Sequence, residues 1–213
     1  MLCTPYPRFE LRPEQRWLSE LHGVRRANST WLRHGLGQSL ILLAVYPGPV
    51  RGVPDAKSRV DSVVTGVFRD ADRQRWWSLS RDFRLLAEAS PQKFLDAIDA
   101  SLDREDPPIR ALFSPDGGGV FGAEHLSDLM WALESLAWSP TWLLRVTQVL
   151  ARLDAIDVEK RVYQNGPLES LRTIHRLRRP QTYATLKDRL RALDSIRDES
   201  RFGTAAWKLL LRL

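Results

Sequence analysis

The clearest candidates for a binding site in this sequence are four basic residues in one short segment, namely Arg172, His175, Arg178 and Arg179. The segment predicts a helix over residues 168–177, because Asn-Gly-Pro precedes it and Arg179-Pro180 follows it. The basic side chains therefore fall near a helix C-terminus, where the helix dipole favours cations. Two interpretations stay open: an electrostatic cap of the helix, and a patch that binds an anion or a protein partner.

Other residues with catalytic or metal-binding side chains do not form a recognisable site. No two histidines lie at i, i+4, and Cys3 is the only cysteine, so the spacing does not predict zinc. Asp96, Asp99 and Asp103 share a helix face, which could hold a metal but is more typical of a solvated surface with arginine partners. We therefore predict no catalytic residues, no metal site and no cofactor, and hence a protein that is not an enzyme.

A glycine-rich segment around Gly117-Gly118-Gly119 precedes a predicted helix. A phosphate-binding loop would need a strand before it and Lys-Ser or Lys-Thr after it, and the sequence has neither. We predict a flexible loop over residues 114–122, between an N-terminal helical part (1–113) and a C-terminal helical-repeat part (123–213). The final residues are apolar without a polar cap, which indicates a truncated repeat.

The charge of the chain is strongly basic. It has 32 lysines and arginines, most of them arginine, against 26 acidic residues, giving a net charge of +6. Guanidinium groups suit phosphate recognition, so an Arg-rich face that binds nucleic acid is one interpretation. Interspersed acids, as in Arg69-Asp70-Ala71-Asp72-Arg73, instead favour a solvated helix surface.

Two similar joints, Ser90-Pro91 and Ser139-Pro140, indicate how the helices are arranged. Each follows an apolar helix and can begin another, with serine as the N-cap and proline at the first helical position. Short joints about fifty residues apart predict an all-α fold of stacked antiparallel hairpins, a solenoid-like array of the HEAT or TPR kind.

Hydrophobic periodicity predicts the individual helices. We expect a short amphipathic helix over residues 14–27 and a mostly buried one over residues 31–45. Residues 54–68 fit a helix better than the alternative of a strand, and residues 72–89 are predicted as one continuous helix. Three tryptophans are expected to fill the gap at the second joint: Trp131, Trp138 and Trp142.

Three strings are distinctive when taken together: Leu86-Ala-Glu-Ala-Ser-Pro, Leu129-Met-Trp-Ala-Leu-Glu and Asn165-Gly-Pro-Leu-Glu-Ser. From about residue 83 onward, the chain resembles a helical-repeat region of large bacterial proteins associated with defence and with NTPases. The resemblance implies a segment of a longer chain whose NTPase lies elsewhere, since no Walker motif occurs here. It marks no catalytic residue.

These observations predict a non-enzymatic interaction or sensor scaffold. Its partner would be another protein or the rest of a larger chain, and the alternative is a helical module that binds nucleic acid through an Arg-rich face. The single cysteine favours a cytoplasmic location. No run of about twenty apolar residues occurs, so we expect no association with a membrane.

Overall fold

The computed structural model describes residues 2–46, 53–114, 125–156 and 165–197. Within these ranges the chain forms helices and turns and no β-strand, which confirms the predicted all-helical fold. The chain divides into two compact units, Met1–Asp128 and Leu129–Leu213. The predicted loop at 114–122 and the predicted truncated C-terminal helix fall almost wholly outside the described residues.

Ten α-helices follow one another along the described chain. They are α1 (Pro13–Arg16), α2 (Thr30–Val45), α3 (Ala56–Phe68), α4 (Arg73–Leu79), α5 (Phe83–Ala89), α6 (Pro91–Leu102), α7 (His125–Ala137), α8 (Pro140–Asp154), α9 (Pro167–His175) and α10 (Leu186–Arg197). Three 3-10 turns accompany them, at Pro7–Glu10, Ser80–Asp82 and Pro108–Phe113. Residues 56–68 are thus helical, as predicted, whereas the continuous helix predicted over 72–89 is interrupted by the second of these turns.

The core of the first unit is aromatic. Four large buried rings pack together, one each from α3, α4, α5 and α6: Phe68, Trp76, Phe83 and Phe94. The Phe68 ring lies 4.9 Å from Trp76 and 5.8 Å from Phe94, and the Trp76 ring lies 5.8 Å from Phe83. Such ring pairs contribute beyond the apolar area that they bury, so this cluster fixes the relative positions of the four helices.

The second unit is built around α8, which packs on both α9 and α10. Its apolar stripe, including Leu143, Val146 and Leu150, is fully buried, as are Leu171 of α9 and Ile196 of α10. Of the three tryptophans predicted to fill the gap at the second joint, Trp131 and Trp138 are each about half exposed, and Trp142 is partly buried. Trp138 instead packs edge-on against Tyr183, with ring centroids 5.1 Å apart.

The Ser-Pro joints mark helix boundaries as predicted, but the serines do not act as expected. Pro91 and Pro140 each occupy the first position of a helix, whereas neither Ser90 nor Ser139 caps that helix with its side chain. The Ser90 hydroxyl donates instead to the carboxylate of Asp61, 2.5 Å away. This bond links the joint to α3, so a tertiary contact takes the place of a local cap.

The N-terminal helices differ most from the prediction. Only Pro13–Arg16 is helical within the expected 14–27 helix, and the exposed fractions of Trp17 and Leu21 are 51% and 81%. Helix α2 has the expected bounds, but Leu42 and Val45 are exposed and its buried residues are Arg33 and Gly37. An apolar period therefore predicted the helix correctly and its burial wrongly.

Gly37 marks the closest approach of α2 to α5. A β-carbon at this position would lie 2.6 Å from Cδ1 and 2.9 Å from Cβ of Leu85. The neighbouring Gly35, on the same helix, has open space around it. The two glycines therefore differ in packing alone.

We expect Gly37→Ala to destabilise the protein by about 1–2 kcal/mol, because overpacking against Leu85 exceeds the gain in helix propensity. Gly35→Ala, the matched control, should stabilise it by about 0.5–1 kcal/mol. Urea unfolding of both variants measures the difference. Equal changes in the free energy of unfolding would contradict the close packing of α2 on α5.

Candidate anion-binding site

The first unit contains a polar cavity of about 490 Å³ beside the N-terminus of α2, which we call the arginine cavity. Its walls come from the N-terminal segment, from the start of α2, from the turn after α4 and from the first residue of α7. The lining residues are Tyr6, Arg8, Glu20, Arg25, Arg26, Asn28, Ser29, Thr30, Arg33, His34, Arg81, Asp82 and His125. Five of them are arginines and two are acidic, which leaves an excess of three positive charges among the described lining residues.

Arg16 fixes the N-terminal wall of the cavity to the helical core. Its guanidinium lies 5.2 Å from the ring centroids of both Phe9 and Trp77. It also donates to the carbonyl oxygens of Phe9 (2.8 Å) and Leu11 (3.1 Å). This buried cation therefore anchors the N-terminal segment to the core, through cation–π contacts and charge-assisted hydrogen bonds.

Tyr6 and Arg26 close the same wall through Ser78, near the end of α4. The backbone N–H of Tyr6 donates to the Ser78 hydroxyl (2.8 Å), and Arg26 donates to the Ser78 carbonyl oxygen (3.1 Å). The Arg26 guanidinium also lies 4.6 Å from the centroid of the Tyr6 ring. Arg26 is thus held in place at the edge of the cavity by groups that do not neutralise its charge.

The inner wall carries a buried ion pair. Arg33, in the first turns of α2, pairs with Asp82, and both side chains are at least nine-tenths buried. Beside them the Ser80 hydroxyl lies 2.6 Å from Nδ1 of His125, whose ring is 4.3 Å from that of Trp77. These contacts hold the inner wall rigidly, because buried polar groups require their partners.

The positive charges of the cavity act on one another. Burial lowers the pKa of Arg26, and the neighbouring Arg33 and Arg81 lower it further, although Asp82 and Tyr6 oppose them. Arg25 and Arg81 are exposed, and within the described residues no hydrogen bond or ion pair holds either side chain. The site thus combines two fixed guanidinium groups, those of Arg26 and Arg33, with the exposed guanidinium groups of Arg25 and Arg81, which can move towards a ligand.

The N-terminus of α2 adds to this positive field. Ser29 caps the helix by accepting a hydrogen bond from the Leu32 N–H (3.2 Å), and Ser29 and Thr30 both line the cavity. Helix α2 has no acidic residue in its first turn, and its dipole there favours negative charge. Arginines near a helix N-terminus oppose that preference, and a bound anion would satisfy the dipole and the arginines together.

The structure places the predicted site residues in different environments. Arg178 and Arg179 are exposed just after α9, and Arg172 is half-buried, 3.4 Å from a carboxylate oxygen of Glu169. His175 is 1% exposed, so it is part of the interior of the second unit and does not join the three arginines at the surface. Arg178 and Arg179 are therefore available at the surface, whereas the imidazole of His175 is not.

His175 is held in a neutral form by its surroundings. Its Nε2 lies 2.9 Å from the Thr147 hydroxyl, which itself donates to the carbonyl oxygen of Leu143 (2.8 Å). Nε2 must therefore carry the proton and donate to Thr147, while Nδ1 is buried without a hydrogen-bond partner. Burial, with a contribution from Arg189, lowers the pKa of His175 to about 4. A neutral ring cannot provide the cationic helix cap that the sequence suggested.

The arginine cavity was not predicted from the sequence. A signal was present: the pair Arg25-Arg26 lies within four residues of Ser29, the capping residue of a helix, where cations oppose the dipole. The contributions of Arg81 and Asp82, more than fifty residues away, could not be foreseen, because they depend on the turn that interrupts the expected 72–89 helix.

Comparisons with protein-family models, curated proteins and solved structures found no match to this chain. The resemblance to defence-associated bacterial proteins therefore stays a prediction. None of the described helices is both long and apolar enough to cross a membrane. Within the same residues, no group of three or more His, Cys, Asp or Glu side chains is arranged to hold a metal ion.

His175 should make the stability of the protein depend on pH. The unfolded imidazole binds a proton below about pH 6.5, whereas the folded one does so only near pH 4, so stability falls as the pH drops through this window. The loss should reach about 3 kcal/mol. His175→Gln should remove this part of the decline in urea unfolding between these pH values.

The control is His22→Gln, which removes an exposed imidazole and should leave the decline as in the parent protein. If the free energy of unfolding of His175→Gln falls in parallel with that of the parent as the pH drops, the claim that His175 is buried in its neutral form is wrong.

Proposed function

We propose that this chain is a non-enzymatic binding module and that its first unit binds an anionic ligand in the arginine cavity. The observation that carries the proposal is the charge of the lining, an excess of three positive charges at the N-terminus of a 16-residue helix. Like charges held around one concave surface repel one another, and a bound anion relieves that repulsion.

Binding, and not catalysis, is the role that these side chains suit. Guanidinium groups donate hydrogen bonds in a planar fork that matches the oxygens of carboxylates and phosphates, and they seldom exchange protons. The fixed positions of Arg26 and Arg33 mean that little ordering is needed when a ligand enters. Both features support a recognition or sensor role.

The wider setting is part of the same proposal. The packing of α8 on α9 and α10 supports a stacked, solenoid-like arrangement for the second unit. The resemblance described above supports a place within a larger bacterial protein, and the single cysteine supports a cytoplasmic location. In that setting, the ligand would be sensed by the first unit, and the helical repeats would contact a protein partner.

Removal of the two movable arginines tests the proposal. We expect the parent protein to bind sodium sulfate at low ionic strength, and the double variant Arg25→Gln/Arg81→Gln to bind it at least about tenfold more weakly, because charge-assisted hydrogen bonds are lost. Glu20→Gln should bind sulfate more tightly, since it removes a negative charge from the lining. NMR titration measures each dissociation constant.

The matched control is Arg178→Gln/Arg179→Gln, which removes the same charge from the exposed segment of the second unit. It should leave sulfate affinity unchanged. The proposal fails if the parent binds no sulfate, or if the two double variants lose affinity equally.

A second candidate function is nucleic-acid binding. It is favoured by three exposed arginines within four positions after α9, Arg176, Arg178 and Arg179. Phosphate-driven binding weakens steeply with salt, with a slope set by the number of phosphate contacts. We expect Arg178→Glu/Arg179→Glu to abolish binding of a single-stranded oligonucleotide if this segment is the interface. Unchanged affinity, or no binding even at about 50 mM salt, would exclude it.

A further inference from the structure

We infer that the ligand of the arginine cavity is the terminal phosphate group of a small polar phosphate ester. The inference rests on the proposed function, since it requires that the cavity bind an anion, and it goes further by naming the class of anion. Three properties of the cavity support it: the number of guanidinium groups that share one space, its concave form, and its neutral polar groups.

The number of guanidinium groups favours a doubly charged ligand. Arg26 lies close enough to Arg33 and Arg81 for their charges to lower its pKa. A terminal phosphate presents three acceptor oxygens and about two negative charges at neutral pH, so it can accept from several guanidinium groups at once. A phosphodiester or a carboxylate carries a single charge and would leave most of the positive excess uncompensated.

The concave form favours a small molecule over a polymer. A volume of about 490 Å³ lies within the range of about 300–1,000 Å³ that is usual for small-molecule sites. Asp82 and Glu20 interrupt the positive lining, whereas a nucleic-acid backbone is bound along a continuous basic surface. The phosphate would thus enter as the end of a molecule and not as part of a strand.

The neutral polar groups favour an ester with a polar remainder. Asn28 and Thr30 line the cavity together with the Glu20 carboxylate, so both donors and acceptors face the space beside the arginines. The described lining contains no aliphatic side chain, and its rings, Tyr6, His34 and His125, all carry polar atoms. An apolar group attached to the phosphate would therefore gain little from this site.

Methyl phosphate and dimethyl phosphate form a matched pair of probes that differ by one methyl group and one negative charge. We expect the whole chain to bind methyl phosphate about tenfold more tightly than dimethyl phosphate in an NMR titration at about pH 7. The preference should disappear in Arg25→Gln/Arg81→Gln and persist in Arg178→Gln/Arg179→Gln.

The protonation of the ligand provides a second measurement. Methyl phosphate takes up a proton near pH 6, so its affinity relative to that of sulfate, which stays doubly charged, should fall between about pH 7 and about pH 5. Sulfate is the reference ligand because the protein's own ionisable groups near the site act on both ligands; these groups are His34, His125, Asp82, Glu20 and Asp128.

Different results overturn different claims. If dimethyl phosphate binds as tightly as methyl phosphate, or if the ratio to sulfate does not change with pH, the phosphate-ester inference is wrong while anion binding stands. The inference is also overturned if an oligonucleotide without terminal phosphates binds the cavity more tightly than methyl phosphate. If none of the anions responds to Arg25→Gln/Arg81→Gln, the proposed function itself fails.

Discussion

The ion pair between Arg33 and Asp82 joins the start of α2 to the turn between α4 and α5, and the first unit depends on it. Taking both charges out of water is costly, and an apolar pair of similar volume would give comparable stability. Removal of one partner alone leaves a buried charge and costs about 3–5 kcal/mol. The pair therefore determines position more than stability: it holds the first turns of α2 against the turn at Ser80–Asp82, and both partners line the arginine cavity.

The N-terminal wall of that cavity is held by a different kind of interaction. Between residues 2 and 29 the buried side chains are those of Arg16 and Ser19, so the segment has little apolar burial of its own. It is attached through the cation–π contact of Arg16 with Trp77, through the rings of Tyr6 and Phe9 against Trp77, and through hydrogen bonds to Ser78. Segments with few buried apolar contacts open at a lower free energy than the core does. The inner wall, where His125 packs on the buried Trp77 and Arg33 pairs with Asp82, is rigid by comparison.

The sequence predicted the helices well because their apolar periods are strong, as in α6 and α8, and because prolines mark where helices begin. It failed where tertiary contacts override a local rule. Ser90 has the residue type of a cap but bonds Asp61, and Leu42 belongs to a helix predicted to be mostly buried but is exposed. His175 stands among arginines in the sequence, yet its position on α9 directs it towards Thr147 in the interior. The cavity combines residues from positions 6 to 125, and a pattern read along the chain cannot show such a combination.

The approach of α2 to α5 at Gly37 also constrains how this protein can change during evolution. The space that a side chain at position 37 would need is already filled by Leu85. A larger residue at 37 is tolerated only with a smaller one at 85, so substitutions at the two positions should occur in pairs. Among homologous sequences, these two positions are therefore expected to covary, while position 35, on the open side of the same helix, should vary independently.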